Sequence, residues 1–365
     1  MPAAVHLQVV LALALTACVV GDPSPLEVGP GRRHVVLVAA GEARDLADAL
    51  RTDGVAVDQV LSEVDVVTAV VDDATAQVLA ARTDVAGVEL DHGFVLSAFA
   101  GARAGARPAA DATQTVPWGV ARVGGGDDRG DHALWVLDGG VDLDHPDLEV
   151  DRVRSRDLVL ERDPDDDADT SHGTAVAGVA AAVDNDRDVI GVAPGTMVVS
   201  VRVLDSGGQG AASDLLAGLD HTLAGASPGD VANISVVADH RSAAIERAVA
   251  RLGDRGVGVV IAAGNDGADT AGYTPAGLDH RNVWTVGAVA QGDCQASFSN
   301  QGSAVDVAAP GVGVLTLAPG GGMVVVDGTS FAAPHVAGLL LLGGYDREPG
   351  QCAAGASAVP IAVAR

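Results

Sequence analysis

Between residues 133 and 308, short runs dominated by Val, Ala, Leu and Ile recur: Ala133–Leu137, Val198–Leu204, Val231–Val236, Gly258–Ala262, Val283–Val289 and Val305–Ala308. None of them alternates cleanly between apolar and polar residues. A strand with one wet face alternates, whereas a near-continuous apolar run is buried on both faces. Segments with helical spacing fall between or after these runs, at His172–Val183, Ala211–Ala224, Ser242–Leu252 and Ser330–Leu342. Strands alternating with helices specify a parallel sheet covered on both sides. Composition decides what fills it: hydrophobic residues make up 48% of the chain, aromatics only 2%, and there are 47 Gly. The core must therefore be Val, Ala and Leu, with helices lying close on the sheet. The expected fold class is α/β, a doubly wound mostly parallel sheet.

The pattern differs upstream. His34–Ala39, Val64–Val71 and Val85–Leu90 read as strands, and Glu42–Arg51 and Ala74–Ala81 as helices. Together they predict a small α+β, ferredoxin-like unit over residues 33–98. Residues 19–32, with three Pro and three Gly, read as a linker, and so do the Ala-, Gly-, Arg- and Pro-rich residues 99–112. The latter has nothing to pack and suits proteolytic cleavage. Residues 1–18 carry an apolar run, Leu7 to Ala17, too short to span a bilayer and placed like the core of a signal peptide. It ends Leu15-Thr16-Ala17-Cys18, which resembles a bacterial lipobox with Cys18 as the lipidated residue; a plain secretory signal with an incidental Cys is the other reading.

The net charge of −27 argues against nucleic acid or an anionic membrane surface as partner, leaving lipid on Cys18 as the sole route to a membrane. Beyond Cys18 the chain holds two cysteines, Cys294 and Cys352. An exported chain invites their pairing, but two buried thiols are equally compatible with the spacing.

Chemistry concentrates in four places. Gly328-Thr329-Ser330-Phe331-Ala332-Ala333-Pro334-His335 puts a serine among small residues at the start of an apolar helix, where backbone N–H groups face developing negative charge. Ser171-His172-Gly173-Thr174 opens another small-residue helix. The run Ala133–Leu137 ends in Asp138-Gly139-Gly140, and open α/β sheets carry functional groups at such strand ends. A serine becomes nucleophilic when an imidazole takes its proton and an acid orients that imidazole. The fourth place is Asn265, after the run Val259–Ala263 and Gly264.

The order Asp138, His172, Ser330, with Asn265 between, resembles the subtilisin family of serine proteases (subtilases), and the likeness runs from about Thr113 to about Leu342. The resemblance implies a serine endopeptidase acting on proteins or peptides. Asp138 would orient His172, His172 would serve Ser330 as base and then acid, and Asn265 would donate to the oxyanion beside the Ser330 N–H. It also implies that residues 33–98 are an inhibitory propeptide, with Val88-Glu89 closing its last strand. Thr113-Gln114-Thr115-Val116-Pro117-Trp118-Gly119 is similar to a mature amino terminus, which places maturation between Ala100 and Thr113 and makes residues 113–365 a secreted, monomeric catalytic domain. Substrate would pair with Gly208-Gln209-Gly210 on one side and with Ser235-Val236-Val237 and Ala263-Gly264 on the other. A structural calcium ion would take the side chains of Gln114, Asp147 and Asn185 and the carbonyls of Val183, Arg187 and Val189. The acidic stretch Asp163–Asp169 is either a second calcium loop or a solvated one.

The chain departs from the family pattern in three places. Gly139 stands where a hydroxyl residue usually follows the acid, removing a hydrogen bond worth about 0.5–1.5 kcal/mol. Val237 replaces a Gly and narrows the expected pocket. Phe331 follows the serine where many relatives carry an oxidisable Met. The first two changes give the competing expectation, a catalytically impaired relative acting as a binding module.

Overall fold

A computed structural model describes residues 27–28, 31–38, 43–96, 114–126, 131–159, 170–352 and 360–365. The expected signal segment (1–18), the cleavable linker (99–112) and the acidic stretch 163–169 lie outside these residues.

The N-terminal unit comprises β1 (Glu27–Val28), β2 (Gly31–Val38), α1 (Ala43–Thr52), β3 (Ala56–Leu61), β4 (Val66–Val71), α2 (Asp73–Ala80) and β5 (Val85–Leu90). β2 pairs antiparallel with β4 and β5, and β4 with β3. The four long strands thus lie in the order β5-β2-β4-β3, the ferredoxin-like arrangement. Leu46, Ala47 and Leu50 of α1 and Leu79 of α2 pack on Val67, Ala69 and Val71. Two strands depart from the sequence reading. β3 was absent from it, because a register shift between Val57 and Gln59 breaks the alternation. β2 begins at Gly31, inside the expected linker, where it turns back on β1.

After the short strand β6 (Gly93–Val95) and α3 (Trp118–Val123), the main body is a nine-stranded sheet. Its elements are β7 (Leu134–Asp138), β8 (Arg156–Asp157), α4 (Ser171–Ala181), β9 (Val198–Arg202), β10 (Gln209–Ala211), α5 (Ala212–Gly225), β11 (Val231–Ile234), α6 (Ala243–Asp254), β12 (Gly258–Ala262), β13 (Val283–Val289), β14 (Val305–Pro310), β15 (Val314–Leu317), β16 (Met323–Val326), α7 (Thr329–Leu341), β17 (Tyr345–Glu348) and β18 (Ile361–Ala364). β10 pairs with β6 and β15 with β16 outside the large sheet, whose order is β17-β18-β14-β13-β12-β11-β7-β9-β8. Every neighbour in it is parallel except the terminal pair β17–β18.

Successive residues of a strand face opposite sides, and the sheet therefore separates two cores. Leu134 and Val136 join Val176 and Val336, from α4 and α7, on one face. Trp135 and Leu137 join Leu215, Leu219, Ile245 and Val249, from α5 and α6, on the other. The carboxyl-terminal segment, unassigned from sequence, supplies the hairpin β17–β18, which adds to β14 through Ile361. Cys294 and Cys352 are joined in a disulfide.

Candidate active site

Asp138 closes β7 and is fully buried. Its Oδ1 accepts from the Gly139 N–H at 2.7 Å, and both carboxylate oxygens receive Nδ1 of His172, at 2.8 and 2.9 Å. That backbone donor is independent of the side chain at position 139, so the missing hydroxyl leaves it in place. His172 lies in the first turn of α4, and the next residue explains how close that turn comes. A Cβ on Gly173 would stand 2.2 Å from the Gly140 carbonyl oxygen and 3.3 Å from Asp138 Cβ. Gly140 turns the chain away at φ +105°.

Helix α7 packs against α4. Its N-cap, Gly328, is followed by Thr329 and Ser330, and the Phe331 ring lies 5.2 Å from the His172 ring, tilted by 52°. Ser330 Oγ is 3.4 Å from the Ser235 carbonyl oxygen. Pro334 has no N–H, so the Ser330 carbonyl loses its helical donor four residues on. The Ser235 hydroxyl takes that place, donating to Ser330 O at 3.3 Å. The link fastens the start of α7 to the end of β11.

Asn265 follows β12. Its Oδ1 accepts from the Thr329 N–H and from Thr329 Oγ1, both at 2.9 Å, and Thr329 Oγ1 accepts in turn from the Gly264 N–H at 3.1 Å. With Oδ1 held on Thr329, the amide nitrogen becomes the free end of the side chain, a donor beside α7. Thr329 went unnoticed in the sequence because only its position next to Ser330 marks it.

Of the two expected substrate walls, that of Ser235 and Gly264 meets the start of α7 directly. β10 is an edge strand, and in this chain it is already occupied: Gln209 pairs with Val95, Gly210 with Phe94, and Ala211 with Gly93. The Leu96 N–H donates to Gly208 O at 2.8 Å, extending the pairing over the predicted Gly208-Gln209-Gly210 segment. On the opposite wall Ser235, Val236 and Val237 are all buried, as are Ala263 and Gly264. Two further residues belong here. The buried Asn300 donates to Ala263 O at 3.0 Å and accepts from Asp266 N and Ala268 N at 3.0 and 2.9 Å. Burial and the Asp266 carboxylate hold the Tyr273 phenol up at about 12.

The N-terminal unit is anchored on α5 and α6 by acidic groups. Glu89 accepts from Ser242 Oγ at 2.7 Å and from the Ala244 N–H at 3.1 Å, at the start of α6. Asp91 accepts from the Ser213 N–H at 2.9 Å, at the start of α5. Carboxylates at helix amino termini complement the unsatisfied N–H groups there. Further along α6, Arg251 meets Asp65 at 2.8 Å and Arg255 meets Glu63 at 3.0 Å. Asp220 of α5 accepts from the Glu63 and Val64 amides, and burial raises its pKa.

The six proposed calcium ligands separate into residues drawn together and one unplaced. Gln114 Nε2 donates to Val183 O at 2.7 Å and Val189 O at 3.1 Å, so those carbonyls converge on one point. Asn185 Nδ2 donates to Asp147 Oδ1 at 2.7 Å, and burial pushes the Asp147 carboxyl up to about 7. Asp147 Oδ2 is buried with no partner. A converging set of carbonyls around an orphaned carboxylate oxygen fits a hard cation, with the Gln114 amide turned to present its oxygen. Arg187 is tied in by its N–H, which donates to Asn185 Oδ1; nothing places its carbonyl in the set. No group of three or more His, Cys, Asp or Glu forms a metal cluster among the described residues.

This geometry agrees with comparison to known proteins. The profile of the subtilase family matches residues 132–343, and the chain belongs to that family. It is 40% identical over 235 residues to subtilisin BL of Lederbergia lenta, covering 63% of this chain and 84% of that protein. It is 42% identical over 208 residues to a thermophilic serine proteinase of Bacillus sp. (strain AK1), covering 57% of this chain and 50% of the relative. The chain thus spans about half the length of that second relative. A crystal structure of a cold adapted subtilisin-like serine proteinase superposes with a TM-score of 0.51 at 31% identity, over 64% of this chain and 85% of that one.

Proposed function

We propose that this chain is an exported serine endopeptidase of the subtilisin type, made as a precursor that occupies its own substrate edge. The observation that carries the reading is the buried Asp138–His172 pair, hydrogen-bonded at 2.8 and 2.9 Å and packed beside the Ser330 helix start. Ser330 Oγ attacks the peptide carbonyl carbon while His172 takes its proton. The carbonyl oxygen becomes an oxyanion, met by the Asn265 amide and the Ser330 N–H. In subtilisin the loss of such a side-chain donor lowers kcat by about 10²–10³-fold. His172 then protonates the leaving amine as the carbon–nitrogen bond breaks, and water repeats the sequence on the acyl-enzyme, with Asp138 keeping the imidazole oriented.

Residues 33–98 act in this reading as an inhibitory propeptide, supported by the pairing of β6 with β10 and by the acidic anchors on α5 and α6. Maturation within the linker yields a monomeric catalytic domain, residues 113–365. Residues 1–18 direct export to the cell envelope or beyond, with Cys18 as a lipid attachment point in the precursor. A calcium ion would be held by Asp147, Asn185, Gln114 and the carbonyls of Val183 and Val189, bracing the segment after the cut.

A serine-directed fluorophosphonate applied to the processed protein tests the reading. Labelling that disappears in Ser330→Ala supports the enzyme. A processed, folded protein that resists labelling supports the binding-module alternative instead.

A further inference from the structure

We propose that the pocket beside Ser330 accepts only small side chains, so that the chain cleaves after Gly, Ala or Ser; this rests on the endopeptidase reading above. Val237 stands on one wall of the cleft and Gly264 on the other. Val237 Cγ2 lies 3.3 Å from the place a Cβ on Gly264 would occupy, so the valine fills the space facing the opposite backbone. Val237 is 8% exposed. Branching at Cβ restricts its rotamers, and it cannot swing aside as an unbranched chain would.

The opposite wall cannot retreat either. Asn300 holds Ala263, Asp266 and Ala268 from a fully buried position, and its Nδ2 lies 2.3 Å from the same Gly264 Cβ site. Tyr273 packs, partly buried, against the same cluster as Val237. One side of the pocket is thus plugged by a stiff side chain and the other is pinned through three hydrogen bonds.

An independent observation comes from the segment seated on β10. Phe94 and Leu96 lie on one face of that strand, and the Phe94 ring stacks near His240 at 6.4 Å with planes 7° apart. Beyond Leu96 the sequence continues Ser97-Ala98, ahead of Phe99. A segment paired along β10 as far as Leu96 is thus followed in sequence by two small residues.

The test uses the processed enzyme and fluorogenic peptides built on residues 93–96 (Gly-Phe-Val-Leu) followed by Gly, Ala, Ser, Val, Leu, Phe or Tyr at the cut. Hydrolysis after Ala or Ser is expected to exceed that after Phe by about tenfold or more, within the 10–200-fold range that pocket methylenes command. Val237→Gly is expected to raise the Phe-to-Ala ratio by about tenfold, with Val237→Ala between the two. Fastest cleavage after Phe or Tyr in the native enzyme, or a ratio unmoved by both variants, overturns the assignment. Labelling of Ser330 by fluorophosphonate without hydrolysis of the Ala and Ser peptides overturns it as well. Absence of both labelling and hydrolysis defeats the endopeptidase reading itself.

Discussion

Gly173 is the position where one methyl group should separate folding from chemistry. In Gly173→Ala the new Cβ would lie 2.2 Å from the Gly140 carbonyl oxygen and 3.0 Å from its carbonyl carbon. A carbon and a carbonyl oxygen rest about 3.3 Å apart, so the first turn of α4 or the Gly139–Gly140 turn must retreat by about 1 Å. Those two turns carry His172 and Asp138. Displacing one from the other stretches contacts of 2.8 and 2.9 Å out of hydrogen-bonding range. A misplacement of about 1 Å lowers turnover by about 10²-fold. Gly178→Ala is the control on the same helix: its Cβ would meet Thr316 Oγ1 at 2.6 Å and Leu317 Cγ at 2.8 Å, away from the pair. Both variants should lower Tm, each by about 1–3 kcal/mol of stability. Peptide hydrolysis normalised to fluorophosphonate-titrated sites should fall about 10²-fold in Gly173→Ala alone. A Gly173→Ala enzyme within threefold of native, or an equal loss in Gly178→Ala, would refute the reasoning.

Three further outcomes are expected. Thr329→Val removes one of the two donors to Asn265 Oδ1 and loosens the amide; kcat should drop about 5–15-fold with KM little changed, as one hydrogen bond is worth about 1–1.5 kcal/mol. His335 is fully buried with Nδ1 on the Phe331 carbonyl, and burial lowers its pKa to about 4. The unfolded chain binds this proton below about 6.5 and the folded chain only below about 4, so stability falls as pH drops through that window, by about 3 kcal/mol in total; urea midpoints from pH 7 to 4 should show this slope, and His335→Gln should flatten it. Chelation of calcium should lower the Tm of the mature protein and leave that of Asp147→Asn nearly unmoved; a native Tm indifferent to chelator would remove the cation from the account.

The central sheet was legible because its strands announce themselves twice, by continuous apolar runs and by the helices between them. Gly258–Ala262 and Val283–Val289 form strands with the bounds read from sequence. What escaped was short or borrowed its partner from far away. β6 has three residues and becomes a strand only against Gln209–Ala211. β15 and β16 close around the Gly320–Gly322 turn, and β17 and β18 need the edge of β14 to exist as strands. In the site, the residues that bear the reaction are marked by their segments, while the holding roles of their neighbours are not, even where the segment itself was recognised. Thr329, Asn300 and Ser235 act through side-chain hydrogen bonds across the fold, and no spacing along the chain encodes such a partner. The grip on Asp138 expected to weaken at Gly139 keeps a backbone donor, the Gly139 N–H, whose aim at the carboxylate no residue type along the chain announces.

The division of the protein into two cores has a consequence for how such a molecule can change over generations. Asp138, His172 and Ser330 look toward the layer of α4 and α7, whereas the N-terminal unit docks on α5 and α6, behind the sheet. A substitution that retunes docking, at Arg251 or Asp220 for example, lies a full layer away from the proton-transfer geometry. The contacts between the two units can therefore drift under selection while the geometry of the Asp138–His172 pair stays as it is.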